Sequence, residues 1–319
     1  MFVLPSTKKF YRESRALPHR SFFDFIHGYF YQRWPYFYIA VGTREHPLGR
    51  MVAALYNVLS TIFARDRREG MREEGKGKRN GERPKKLTFA DGYHGKVVPL
   101  EEARRLVSIN QNVSLPNLEH VIPYAVARDI VLQDPDHIAV VQCACRTARK
   151  NPCTPLDVCL IVGEPFAGFM LEHHPDRARR ITPAEALDIL SEEDKRGHVH
   201  HAFFKEALLG RFYAICNCCR CCCGAMQAQR AGTPMLASSG YVATVDHTVC
   251  VGCGTCAKYC QFDAITYIDG VKRVDEQACM GCGVCVPKCP KGAIALERDL
   301  SKSPPLEIEE LMRVAMNER

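Results

Sequence analysis

CVGCGTCAKYC at residues 250–260 and CMGCGVCVPKCP at residues 279–290 decide the fold of the last part of the chain. Each stretch holds four cysteines in the spacing C-x2-C-x2-C-x3-C. Glycines between the first three cysteines allow a tight turn, which wraps three thiolates around one face of a cubane cluster and points backbone N–H groups at the sulfurs. Zinc sites usually contain paired CxxC units, and disulfide frameworks suit short secreted chains. The spacing therefore predicts two iron–sulfur clusters.

The two stretches resemble the two-[4Fe–4S] bacterial-type ferredoxin domain over about residues 240–300. In that family the fourth cysteine of each run reaches the other cluster. The resemblance implies one cluster held by Cys250, Cys253, Cys256 and Cys289, and a second held by Cys279, Cys282, Cys285 and Cys260. Gln261 departs from the family, because a proline often stands there; the change restores a backbone N–H and removes no ligand.

Short apolar and β-branched runs flank both cysteine stretches. They predict strands at residues 241–245 and 264–268, which pair with strands at 271–274 and 293–296 in a second copy. This part of the chain is therefore expected to be an internal repeat of strand, cluster loop, short helix and strand.

Composition places the whole chain among globular proteins that use cysteine for metal. Of 319 residues, 46% are hydrophobic and 18 are cysteine, and the cysteines lie in tight clusters. In a chain of this length such clusters indicate metal ligation in a reducing compartment, so we expect a cytoplasmic protein. The first residues, MFVLP, lead into a polar stretch without the apolar core of a signal peptide.

One segment carries most of the positive charge. The net charge is +7, and residues 65–86 contain ten Lys/Arg and five Asp/Glu. A general nucleic-acid-binding surface is therefore not expected. The segment has almost no apolar residues and is predicted to be a flexible linker, with a docking tail for an acidic redox partner as the alternative.

The N-terminal region is rich in aromatic residues. Residues 1–20 are polar and basic and are predicted to form an arm, and residues 21–41 are predicted to form a helix to about Gln32 followed by an extended segment. This region could pack on the core or form a partner-docking surface. A further helix is predicted at residues 47–64; its uncharged run of 14 residues is too short to span a bilayer. Peripheral membrane contact is the alternative to an ordinary core helix.

The middle of the chain predicts a mixture of helices and strands. Helices are expected at residues 99–107, 121–132 and 182–196, strands at 137–142 and 212–215, and a terminal helix at 304–317. The predicted fold class is α+β. Its parts are a helical N-terminal region at 1–64, a basic linker at 65–86, a mixed α/β cysteine-rich domain at 87–239, a ferredoxin-like dicluster domain at 240–300 and a C-terminal helix at 301–319.

Ten further cysteines lie upstream, in two groups that each follow a predicted strand. Because strand ends can converge, the groups are candidates for a common metal site. They could hold one cluster with spare cysteines, two clusters with eight of the ten, or a larger assembly. A structural zinc ion beside buried thiols is the alternative, but the adjoining dicluster unit favours one or two further iron–sulfur clusters. The candidates are Cys143, Cys145, Cys153, Cys159, Cys216, Cys218, Cys219, Cys221, Cys222 and Cys223.

Residues 137–230 also resemble a little-characterised family of iron–sulfur proteins from anaerobes. The shared features are CxCR at residues 143–146, the later Cys153 and Cys159, HVHHAFF at 198–204 and CNCCRCCC at 216–223. Members usually carry the same C-terminal ferredoxin unit, and the resemblance implies a redox role without a defined substrate. Near these cysteines, Arg146, His198 and His200 are candidates for supporting contacts or proton donation.

The favoured function is a relay that passes electrons through the clusters to a redox partner protein. The alternative is an iron–sulfur reductase with a catalytic upstream cluster, and a redox or oxygen sensor ranks third. The reductase would use Cys143, Cys145, Arg146, Cys216 and Cys219, with His200 as proton donor. No nucleotide-binding glycine loop and no hydrolase triad signature appears in the sequence.

Overall fold

One mixed sheet of eight strands forms the centre of the computed structural model, which describes residues 4–18, 20–49, 51, 89–268 and 271–317. Its strands are β1 (Tyr93–Val98), β2 (Val113–Leu115), β3 (Ile130–Gln142), β4 (Asp157–Glu164), β5 (Ala178–Ile181), β6 (Val199–Lys205), β7 (Arg211–Cys218) and β8 (Leu236–Ala237). The order is β2-β3-β4-β7-β6-β1-β8, and β5 pairs with the second half of β3. Neighbours are antiparallel except β1 and β8.

Helices cover both faces of this sheet. They are α1 (Pro5–Ala16), α2 (Phe22–Arg33), α3 (Pro35–Gly42), α4 (Phe89–Gly92), α5 (Leu100–Val107), α6 (Ala144–Thr147), α7 (Phe166–His173), α8 (Pro183–Lys195) and α9 (Gly224–Arg230). The predicted start of α8 is correct, since the Thr182 hydroxyl accepts the Glu185 N–H at 3.2 Å. Within the described residues, no helix combines the length and the apolar composition that a bilayer span requires.

Successive residues of β3 point into two different cores. Ile138 and Val140 belong to one buried cluster, whereas Ala139 and Val141 belong to the other, as the two-residue period of a strand requires. The first core is completed by α5 and α8, and the second by α1, α2, α7 and α9. Six of the ten upstream cysteines lie in the second core or pack against it, on the side of the sheet where the N-terminal helices lie.

The C-terminal part forms a separate small unit of two hairpin-like strand pairs. It contains β9 (Tyr241–Val245), α10 (Thr255–Tyr259), β10 (Ile265–Ile268), β11 (Val271–Val274) and β12 (Ile294–Arg298), and α11 (Ile308–Asn317) follows. β9 pairs with β12 and β10 with β11, both antiparallel. The first and last strands of the repeat therefore pair with each other, and the α+β class is confirmed.

Three local predictions are wrong. The N-terminal arm is helix α1, because Phe10 is fully buried against the second core. Residues 35–42 are helix α3 rather than extended, since Pro35 suits the first turn of a helix. The helix expected at 121–132 is a series of turns leading into β3, where Leu132 pairs with Val113. The helix predicted at 47–64 lies outside the described residues beyond Met51, as does the linker at 65–86.

Candidate metal centres

The central strands bring all ten upstream cysteines to one end of the sheet. Cys143 directly follows β3, Cys159 lies in β4, and Cys216 lies opposite Cys159 in β7. Cys145 stands in α6, and the turn after β7 carries the last cysteines before α9. The sheet register therefore brings the two cysteine groups together at strand ends, as the sequence predicted.

Six of these thiols lie in the second core or pack against it, and we call them the buried set. The set consists of Cys143, Cys145, Cys159, Cys216, Cys218 and Cys223. The thiols of Cys145 and Cys159 donate to Cys143 and, with the nearby Arg146, hold the pKa of Cys143 well below its usual value. The same hydrogen bonds raise the pKa values of Cys145 and Cys159. One member is thus prepared to be a thiolate, the form that binds metal.

The other four thiols form the outer set, which is partly exposed. In Cys153, Cys219, Cys221 and Cys222 the Sγ atoms all lie within 4.8 Å of one another. The closest pair is Cys153 and Cys221, at 3.1 Å. Partial burial would raise the pKa of Cys221, but hydrogen bonds from its three neighbours outweigh that effect and lower it. Four convergent soft thiolates suit a [4Fe–4S] cluster or a single tetrahedral zinc ion.

Arg146 is fully buried beside both sets. Its guanidinium donates to Glu193 Oε2 at 2.6 Å and to the Asn217 carbonyl at 3.0 Å, between two cysteines of the buried set. His198 also reaches Glu193 Oε2, with its Nδ1 at 2.6 Å. Arg146 and His198 therefore support the cysteine-bearing segments through one carboxylate.

His200 faces away from the thiols. Its Nδ1 bonds to Asn217 Oδ1 at 2.6 Å, and Asn217 Nδ2 donates to the Val158 carbonyl at 2.7 Å. Burial lowers the pKa of His200 to about 4, which keeps the ring neutral near pH 7. His200 does not line the cavity beside the cysteines, so the geometry does not favour its predicted role as a proton donor.

Two supporting residues were missed by sequence reasoning. Arg149 donates to the Cys222 carbonyl at 3.0 Å and to Gln227 Oε1 at 2.6 Å, and Gln227 Nε2 donates to the Cys221 carbonyl at 2.9 Å. Together they hold the turn that carries the outer set. The signal available in the sequence was a second arginine three residues after Arg146, close to the CxCR motif.

A cavity of about 100 Å³ lies against the cysteines. Its lining includes all six thiols of the buried set and two of the outer set, Cys219 and Cys222. On the opposite side, Tyr31, Tyr36 and Ile39 of α2 and α3 close it. A space bounded by this many sulfur donors fits a bound metal–sulfur cluster.

In the ferredoxin-like unit, four cysteines from different runs line one cavity. They are Cys260, Cys279, Cys282 and Cys285. They are the same four cysteines that the resemblance to two-cluster ferredoxins assigns to the second cluster. The Ala264 N–H donates to Cys260 Sγ at 3.3 Å, and the equivalent Ala293 N–H donates to Cys289 Sγ at 3.2 Å. Such N–H groups stabilise thiolate charge near a cluster.

Backbone freedom is needed where the second run packs closely. Gly281 has φ +62°, and a Cβ atom there would lie 2.2 Å from the Tyr241 carbonyl oxygen. Any side chain would push β9 away from the cysteine loop. The other set, Cys250, Cys253, Cys256 and Cys289, lies around the more exposed first loop, and its joint ligation stays a prediction.

The comparisons with known proteins cover the C-terminal unit. Residues 243–296 match the family model of the 4Fe-4S dicluster domain. No curated protein matches the chain. This part of the protein is thus a ferredoxin-type iron–sulfur unit, whereas the likeness of residues 137–230 to an anaerobe family stays a prediction.

Proposed function

We propose that this protein is an electron-transfer relay with four iron–sulfur centres that serves a redox partner protein. The observation that carries the proposal is the sorting of ten upstream cysteines into a buried set and an outer set next to a dicluster unit. Iron–sulfur clusters, when bound, supply one-electron transfer at potentials that their surroundings set.

Ligand number supports transfer rather than bond chemistry. Each predicted ferredoxin set offers four cysteines to its cluster and leaves no iron open to a substrate. The outer set also offers four thiols, and the buried set offers six. Thiols kept for metal in such number require reducing conditions, so we also propose a cytoplasmic location.

The chain contributes binding, burial and orientation. Helices α2 and α3 line the cavity beside the buried set with Tyr31, Tyr36 and Ile39, which places a bound centre against aromatic and apolar side chains. Arg146 lies in the low-dielectric interior near both sets, where its positive charge offsets part of the thiolate charge. The outer set is accessible by comparison, since Cys221 is exposed.

The test is anaerobic metal and sulfide analysis combined with EPR of the reduced protein. We expect about sixteen irons per chain if all four centres are cubanes. The double variant Cys153→Ser/Cys221→Ser should lose about four irons and one EPR signal, and Cys143→Ser/Cys145→Ser should lose a different signal.

Both variants should keep the signals of the ferredoxin unit, which makes each a control for the other. About eight irons in the native protein would contradict the upstream half of the proposal. Zinc in the outer set would remove that set from the relay.

A further inference from the structure

The ferredoxin unit packs on the sheet through its second cysteine loop. Val97 of β1 and Val199 of β6 form a buried cluster with Val284, which lies between two predicted cluster ligands. The partly buried side chains around this cluster are Tyr259, Phe262, Met280 and Cys282. The contact is apolar and includes a cysteine of the second set, so that set lies at the boundary between the two parts of the protein.

A polar junction lies beside this apolar contact. The Arg220 N–H donates to Gln261 Oε1 at 3.0 Å, and the Arg220 guanidinium pairs with Asp263. Arg230, at the end of α9, donates to the other Asp263 oxygen at 2.5 Å. Arg220 stands between Cys219 and Cys221 of the outer set, and Gln261 directly follows Cys260 of the second ferredoxin set. Arg220 and Gln261 are thus each adjacent in sequence to a predicted metal ligand.

The internal repeat shows that the two cluster loops are not equivalent in their surroundings. Val251 in the first loop is 62% exposed, whereas Met280, at the same position of the second loop, packs against both the sheet core and the boundary cluster. Cys253 is exposed, and its counterpart Cys282 is partly buried. The upstream domain covers the second loop, whereas the part of the first loop around Val251 and Cys253 is exposed.

We propose that the junction of Arg220, Arg230, Gln261 and Asp263 fixes the direction of the relay. It makes the second ferredoxin set the internal end, next to the outer set, and leaves the first loop around Cys253 as the end that meets the redox partner. This inference rests on the proposed function. In each step one electron passes between neighbouring centres, so the donor centre is oxidised by one electron and the acceptor is reduced by one.

The junction also explains why the sequence departs from the ferredoxin pattern at residue 261. A proline at this position would have no side-chain acceptor for the Arg220 N–H. The equivalent position of the second run is Pro290, which is exposed and faces no upstream residue among the contacts described. The glutamine therefore stands where the end of the first run meets Arg220 of the upstream domain.

The test uses the full chain with all its centres and the double variant Gln261→Pro/Asp263→Asn. Proline suits the ferredoxin pattern, and asparagine tolerates the left-handed φ of +57° at residue 263, so the cluster loops should still form. After rapid mixing with a reductant, freeze-quench EPR follows the appearance of the upstream signal. We expect it to appear about tenfold more slowly or slower still, because small displacements of reacting groups strongly affect rates.

Lys291→Ala is the matched control, since Lys291 is exposed and occupies the position equivalent to Phe262 in the other copy. It should transfer at the native rate, and all proteins should contain the same amount of iron. Native transfer in the double variant would overturn the inference. Failure of the proposed function looks different: the upstream signal would then be absent from the native protein as well.

Discussion

At the scale of single residues, Arg146 and Glu193 form a fully buried ion pair at the cysteine site. Burial favours a raised pKa for Glu193, but hydrogen bonds from His198 and Arg146 outweigh it and lower the pKa below its usual value. Both groups stay charged, and each depends on the other. The same carboxylate also meets the partly exposed Arg196 at 3.1 Å through its second oxygen, which gives a natural comparison.

Replacing Arg146 should be far more damaging than replacing Arg196. Arg146→Ala leaves the Glu193 charge buried without its main partner, and we expect the free energy of unfolding to fall by about 3–5 kcal/mol. Arg196→Ala removes a surface pair and should cost less than about 1 kcal/mol. Anaerobic urea titration followed by circular dichroism measures both. Equal losses of unfolding free energy in the two variants would show that the buried pair stabilises the protein no more than the surface pair does.

His94 makes stability depend on pH. Its ring stacks on Tyr124 with the centroids 3.6 Å apart, and its Nδ1 bonds to the Ala90 carbonyl at 2.9 Å. Burial lowers its pKa to about 4. Between pH of about 6.5 and 4, His94 is therefore protonated in the unfolded chain but neutral in the folded protein. The free energy of unfolding falls as pH falls through this window.

His94→Phe keeps an aromatic ring for the stack but cannot titrate. We expect the loss of unfolding free energy between pH 6.5 and 4 to become shallower by up to about 1.4 kcal/mol per pH unit. Denaturant titrations at several pH values measure the slope, and the exposed His120→Gln serves as the control. An unchanged slope in His94→Phe would mean that this ring already binds its proton in the folded protein.

At the scale of elements, α1 and α2 form the cover of the cysteine-bearing core. Phe10 of α1 packs against Phe25 with ring centroids 5.7 Å apart and against Phe169 of α7 at 6.2 Å. Gly28 lets α2 pack closely against the backbone at Ala207, because a Cβ atom at residue 28 would lie 2.2 Å from the Ala207 carbonyl oxygen. The aromatic region is therefore divided: Phe10 and Phe25 are buried, whereas Phe23 is 81% exposed.

Truncation of the two kinds of aromatic residue should separate these roles. Phe10→Ala opens a cavity in the core and should cost about 3–5 kcal/mol of unfolding free energy. Phe23→Ala removes an exposed ring and should change it by no more than about 0.5 kcal/mol. Anaerobic thermal or urea unfolding measures both variants. If Phe10→Ala changes the free energy of unfolding only slightly, α1 contributes little to the core and is only loosely attached.

At the scale of the whole molecule, the two parts are stabilised differently. The ferredoxin unit has a small core in which three of eight buried members are cysteines. The sheet has two larger apolar clusters with helices on both faces. We therefore expect metal binding to contribute a larger share of the folding free energy in the ferredoxin unit than in the sheet.

Anaerobic removal of iron by a chelator should unfold the two parts unequally. We expect the amides of β9 to β12 to exchange hydrogen rapidly, while those at the centre of β3, β4 and β7 remain protected by apolar packing. Hydrogen exchange with mass spectrometry, compared with the iron-loaded protein, measures this. Simultaneous loss of protection in both parts would show that the sheet also depends on metal.

Features with local causes could be predicted from the amino-acid sequence. The eight ferredoxin cysteines lie in two short turns, so their spacing alone predicts their chemistry, and the strands around them follow from short apolar runs. The helix at Leu100–Val107 and the cap at Thr182 are likewise set by neighbouring residues. In contrast, the expected helix at 121–132 failed because Leu132 pairs across the sheet with Val113.

The division of the ten upstream cysteines into two sets depends on the three-dimensional fold. Cys218 and Cys219 are neighbours in the chain but belong to different sets, and so do Cys222 and Cys223. Each set is assembled from segments far apart in sequence, and the register of β4 on β7 determines which thiols meet. The spacing of the cysteines along the chain does not reveal that register, because the register depends on packing across the whole sheet.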